Sequence, residues 1–153
     1  MRIRLIAVGK IRERYVAQAV DDFAMRLRRY APLEIVEVPA SPGSDPLRAM
    51  HEEGERILRA AEGAELLWLL ERGGTQLSSQ ELAARLAAQA DAGMMRITFA
   101  ICGTFGASAA LLERAHFCWS LSRLTLLHEW TRALVLEQLY RAAKIARNEP
   151  YHH

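Results

Sequence analysis

The stretch ITFAICGTFGAS, residues 97–108, runs from strand-forming residues into a cysteine, two glycines three apart and a serine. Small residues at a strand end let backbone amides and carbonyls approach a ligand closely, and in an open parallel sheet that end is where ligands sit. Two further strand ends share this character: Leu70 followed by ERGG, and Leu126 after LSRLT. None carries a phosphate fingerprint. GxGxxG is absent from CGTFG and from AVGKIRER, and no GxxxxGK[ST] occurs. The G-x-x-G spacing alone fits a ligand wall and an ordinary tight turn equally well.

The five histidines divide by context. His128 in HEWTR and His51 in HEEGE both lack the second histidine of HExxH, so no metal site is expected. His51 and His116 are expected on helices as surface or packing residues. His128 directly follows the fifth strand end and opens the last helix, whose dipole favours a neutral imidazole able to accept a proton. The tail EPYHH adds Tyr151, His152 and His153 just beyond that helix. Cys102 and Cys118 lie far apart without a CxxC spacing and are expected as reduced thiols near the core.

Hydrophobic periodicity supplies the elements that must position these groups. RIRLIAVG reads as a first strand closed by Gly9, and residues 13–30 as a helix with Val16, Val20, Phe23, Met25, Leu27 and Tyr30 inward. LEIVEVP is a second strand, and the proline- and serine-rich stretch 40–46 a loop. A helix follows over 47–62, with Met50, Ile57, Leu58 and Ala61 inward and Gly63 at its end; AELLWLL is then a buried third strand. Ser78 with Glu81 forms a capping box for a helix that Gly93 ends. MRITFAIC is a fourth strand, Ser108 caps a short helix, SLSRLTLL is a fifth extended segment, and a helix over 130–147 closes the chain. This alternation predicts an α/β fold: a Rossmann-like, mostly parallel sheet with helices on both faces. The last helix is apolar nearly all round, which suits an internal position or a homodimer interface.

With 153 residues, 51% hydrophobic and 25% charged, the chain suits one domain over 1–153 with a well-buried core. No run of 18 apolar residues occurs and MRIRLIAVGK is too soon broken for a signal peptide, so a cytoplasmic protein without membrane attachment is expected. Charge is uneven. Residues 1–33 carry +5, residues 34–91 carry −6 and residues 92–153 carry +3. Basic ends brought together would attract a polyanion; solvated helix faces are the plainer account.

Six blocks in order, RIRLIAVGKIRERYV, RYAPLEIVEVPAS, LSSQELA, WSLSRLTLLH, VLEQLYRAAKI and PYHH, span the chain. On these the sequence resembles the 23S ribosomal RNA large-subunit methyltransferase H family of SPOUT methyltransferases. The resemblance implies a C-terminal trefoil knot (the α/β-knot), S-adenosyl-L-methionine as cofactor, a homodimer packed through the last helix, and methylation of N3 of a pseudouridine in 23S rRNA of the assembled ribosome. It places the cofactor at Leu70, Cys102, Gly103, Leu121, Ser122, Arg123, Leu124, Thr125 and Leu126. It sets His128 directly after this loop and Arg132, Tyr140, Arg141, Tyr151 and His152 near the family's RNA-facing rim. RNA contacts are therefore expected at Arg132, Arg141 and Tyr151, with His128 or His152 expected as the catalytic group that takes the N3 proton. Three departures bear on these roles: Cys102 stands where the family usually has glycine, Leu127 where it has proline, and Thr75 where it commonly has lysine. A cofactor-free ribosome-binding assembly or silencing protein is the alternative that calorimetry with S-adenosylmethionine would separate. A methyltransferase of this fold acting on another RNA site is a second alternative, separable by mapping the methylated nucleotide.

Overall fold

The computed structural model describes residues 1–151. Five strands, β1 (Arg2–Val8), β2 (Leu33–Val38), β3 (Leu66–Gln76), β4 (Arg96–Ile101) and β5 (Phe117–Ser120), alternate with helices α1 (Arg14–Leu27), α2 (Pro46–Ala60), α3 (Ser79–Asp91), α4 (Ala109–Arg114) and α5 (His128–Ala146). All strand pairings are parallel, in the order β2-β1-β4-β3-β5. The expected α/β architecture is therefore present. Strands buried on both faces need apolar residues at successive positions rather than alternate ones, and Leu5, Ile6, Ala7 and Val8 are all buried.

Two cores follow from the two faces. Leu5, Trp68 and Phe99 pack with α1, α3 and α5 through Val20, Leu82 and Leu136. On the other face Ile6, Leu69 and Ala100 pack with α2 and α4 through Ile57 and Leu111. Trp68 meets Phe99 and Trp119 edge to face, with centroids 5.5 and 6.3 Å apart, a geometry that the ring quadrupoles favour.

Helix ends follow the sequence signals. Ser78 Oγ accepts from the Glu81 N–H at 3.1 Å, and the Glu81 carboxylate accepts from the Ser78 N–H at 2.7 Å. Replacing Ser78 with alanine should cost about 1 kcal/mol, the scale of a lost N-cap. A thermal melt should fall by roughly 2–4 °C, as expected for a chain of this size; an unchanged melt would contradict the cap's contribution.

The structure corrects four details. The fifth strand is Phe117–Ser120, and the residues after it form a loop. Leucines at 121, 124, 126 and 127 lack period two, and Ser122 Oγ accepts from the Leu124 N–H at 3.0 Å to turn the chain. β3 continues through ERGGTQ instead of ending at Leu70, with its pairing to β5 shifted between Leu70 and Thr75. A Cβ on Gly74 would strike the Cys118 carbonyl, so glycine is what lets the irregular strand lie this close to β5. Met25 is 54% exposed, off the buried stripe of Val16, Val20, Ala24 and Leu27. His116 lies between α4 and β5, where its Nδ1 accepts from the Leu67 N–H at 2.9 Å. His51 is on α2 beside Glu55, 3.4 Å away.

Candidate donor-binding cleft

The middle of β3 and the carboxyl ends of β4 and β5 converge on a cleft of about 420 Å³. One wall is the start of the β3 irregularity, Leu70 to Arg72; the second is the loop Cys102 to Ala107; the third runs from Leu121 to Leu126. Ile101 and Trp119 also face it, and His128 and Thr131 of α5 close one side. Its size suits a nucleoside-sized ligand.

Each wall is held by a specific tie. Ser120 Oγ donates to the Arg72 carbonyl at 2.9 Å and lies 3.0 Å from the Ser122 carbonyl, joining the first wall to the third. The Arg72 guanidinium also donates to Thr125 Oγ1 across the cleft edge. The middle wall is anchored by Ser108, whose Oγ accepts from the Leu111 N–H at 3.2 Å at the head of α4. Gly54 of α2 packs so closely on Ser108 that a Cβ there would overlap its hydroxyl. Gly106 turns the loop with φ +87°, a conformation that glycine adopts without strain.

Chemically the walls offer apolar side chains and exposed main chain. Leu70, Phe105, Leu121 and Leu126 present hydrocarbon or ring surface, and among the described residues the one arginine or lysine lining the cleft is Arg72, already engaged by Thr125. That composition fits a planar base and a ribose held by backbone groups; it provides no cluster of cations for phosphates. Gly103 packs directly on Glu53: a Cβ would lie 2.8 Å from its Oε1 and force that carboxylate to move. Oε1 is buried and meets no hydrogen-bond donor.

Of the expected cofactor residues, Leu70, Cys102, Gly103, Leu121, Ser122, Leu124, Thr125 and Leu126 line this one cleft, while Arg123 of the same loop does not. Cys102 turns its side chain into the core beneath α2, and burial pushes the thiol up to about 12. It stays a protonated thiol. His128 lines the cleft as well, half-buried. Its imidazole is held below the ordinary value of 6.5, first by desolvation, against an upward pull from Glu129.

The expected RNA contacts do not join this group. Arg132 is 1% exposed. Its guanidinium donates to Glu37 Oε2 at 2.6 Å, the Val8 carbonyl at 3.0 Å and the Gly9 carbonyl at 2.8 Å. The structure thus corrects its placement from rim to interior, where it ties α5 to the ends of β1 and β2. Arg141 and Tyr151 form a separate cluster with Glu137. The guanidinium lies 3.5 Å over the Tyr151 ring, and the phenol donates to Glu137 at 2.8 Å. His152 lies outside the described residues. Sequence reasoning singled out the CGTFG loop, and with it Thr104, Phe105 and Gly106, but did not assign Ala107, Trp119, Thr131 or Glu53. Glu53 had a signal: a charge on the buried stripe Ala49–Glu53–Ile57, four residues from each neighbour.

No helix among the described residues is long and apolar enough to cross a membrane, and no side-chain group among them could hold a metal ion. A family model described as predicted SPOUT methyltransferase matches residues 1–152. The chain is 45% identical to ribosomal RNA large subunit methyltransferase H of Symbiobacterium thermophilum, covering 99% of each chain. It is 39% identical to the protein of the same name from Geotalea uraniireducens, covering 100% of each. Among solved structures, a probable methyltransferase from Bordetella pertussis Tohama I superposes with a TM-score of 0.59 at 16% identity, over 93% of this chain and 96% of that one. A probable methylase family protein from Haemophilus influenzae gives the same TM-score at 15% identity, over 99% and 70%. The last two establish a likeness of fold; family-model match and full-length relatives together place this chain in the ribosomal RNA large subunit methyltransferase H family of SPOUT methyltransferases.

Proposed function

We propose that the protein transfers a methyl group from S-adenosyl-L-methionine to N3 of a pseudouridine in 23S rRNA of the assembled ribosome. The observation that carries this reading is the convergence of three loops on one cleft walled by hydrocarbon and main chain, with a half-buried histidine at its side. The bound donor supplies an electrophilic methyl on a sulfonium. The protein's part is then alignment and proton removal.

Leu70, Leu121 and Leu126 flank the adenosyl group, and the backbone from Cys102 to Ala107 and from Leu121 to Leu126 offers it hydrogen bonds. Gly103 leaves the space behind the middle wall to the Glu53 carboxylate and Val8. N3 of the base must lose its proton as the new bond forms. His128, kept neutral by burial, is placed to accept it; His152 at the chain terminus is the second group in this role. Arg141 stacked on Tyr151 makes a half-buried aromatic surface suited to an RNA base, with Glu137 pairing the guanidinium and accepting from the phenol. Exposed Tyr15 and Trp130 pack 6.3 Å apart on α1 and α5 and suit a homodimer contact beside the cleft.

The test is incubation with isotopically labelled S-adenosylmethionine and ribosomes that carry the pseudouridine but lack its methyl group. Label on N3 of one pseudouridine, mapped by mass spectrometry, is the expected result. Label elsewhere would move the target, and no label with no donor binding would overturn the reading.

A further inference from the structure

Glu53 is the one ionisable residue on the buried face of α2, and it is 6% exposed. Its Oε2 accepts from the Ser41 N–H at 3.0 Å, which pins the loop after β2. Its Oε1 has no partner. None of the ion pairs among the described residues includes it. A buried carboxylate left half-satisfied is costly, and apolar neighbours on its stripe show that the site could have been filled without charge.

Its position gives that charge a use. A Cβ on Gly103 would lie 2.8 Å from Oε1 and 3.2 Å from Oε2, so the carboxylate sits directly behind a backbone segment that lines the cleft. The same charge raises the Cys102 thiol, second to burial, and pulls upward on His128. Both residues line the cleft. Arg132, the fully buried cation of α5, is held by Glu37 and two carbonyls through its terminal nitrogens, and its Nε is the other buried side-chain atom without a partner among the described residues.

We propose that Glu53 is a selectivity residue: its buried carboxylate, one backbone thickness behind Gly103, makes the cleft favour the cationic sulfonium donor over the neutral thioether product. This rests on the donor reading given above. Methyl transfer breaks the bond between sulfur and the methyl carbon and leaves the electron pair on sulfur. The methyl carbon bonds to the target nitrogen, whose proton passes to the base. The nucleoside thus loses one positive charge and keeps the rest of its shape. An unpaired anion behind the wall therefore holds donor and releases product.

The experiment is calorimetric titration of the whole protein and its Glu53→Gln variant with S-adenosylmethionine and S-adenosylhomocysteine. Glutamine keeps the size and the Ser41 contact and removes the charge. Affinity for the sulfonium should fall by about tenfold, the scale of a unit charge acting through partly solvated protein. Affinity for the thioether should change less than about twofold, because that ligand is neutral at sulfur. A merely structural role would weaken both alike, and an unchanged ratio overturns the proposal. Sinefungin, which bears an ammonium near the sulfonium position, gives a test on the unmodified protein that needs no variant to fold. It should bind severalfold tighter than S-adenosylhomocysteine, and equal affinity counts against Glu53. Binding of all three with no charge preference overturns this inference alone; failure of all three to bind overturns the donor reading with it.

Discussion

Replacing Arg132 with alanine is expected to destabilise the protein by about 3 kcal/mol, the lower end of the range for breaking a buried ion pair. The lower end applies because the Glu37 partner is 42% exposed at its side chain and can rehydrate once the arginine is gone. The remaining loss comes from the Val8 and Gly9 carbonyl contacts and from the void left by a fully buried side chain. For a chain of this length the melt should drop by roughly 6–12 °C. Arg132→Lys keeps a charge but not the fork that reaches Glu37 and both carbonyls, so it should recover only part of the loss. Urea unfolding of the three proteins measures both effects, and a loss under about 1 kcal/mol for alanine would show that the pair is dispensable. The consequence reaches the cleft. Arg132 lies one turn beyond His128 and fixes the start of α5 against β1.

Replacing His128 with alanine should slow single-turnover methyl transfer by about a hundredfold or more, the scale of a lost general base. Donor affinity should change much less, since the backbone and apolar walls do the holding. The pH profile follows from the direction of its shift. Burial holds His128 below 6.5, so the imidazole is neutral at pH 7 and proton acceptance fails only on the acid side. The limb should have its midpoint below 6.5 and should disappear in the alanine variant. The same shift carries a stability effect of defined sign: the unfolded chain binds this proton more readily, so stability is lost as pH falls through the folded-state value. Single-turnover rates within about threefold of the unmodified protein would assign the proton transfer elsewhere, with His152 the next group to replace.

Much of this was legible in the residues. Strands buried on both faces read as continuous apolar runs, and Leu5–Val8 and Leu66–Leu69 did so. Ser78 with Glu81 is a local signal whose geometry is fixed by three residues, and the box is formed. The fifth strand was displaced because its four residues, FCWS, carry too few positions for a period to show. The leucine-rich loop behind it looked like a strand because its leucines serve a cleft rather than a core. The cleft's outline came from glycine and small-residue positions at strand ends, and its residue assignments from the family resemblance. What could not be read was the fate of charges. Arg132 is indistinguishable in sequence from a surface cation until the carbonyls of Val8 and Gly9 are brought to it by β1. Glu53 likewise has meaning only once Gly103 lies against it.

The central claim is that backbone groups of three loops hold an adenosyl donor in one cleft. Its most direct test is a nitrogen-edited NMR titration of the uniformly labelled protein with S-adenosylmethionine. Amide shifts confined to the region of Leu70, the loop from Cys102 to Ala107 and the loop from Leu121 to Leu126 are the predicted result. Shifts centred instead on the groove between α2 and α4, around Ala61 and Glu113, or no shifts at saturating donor, would contradict it.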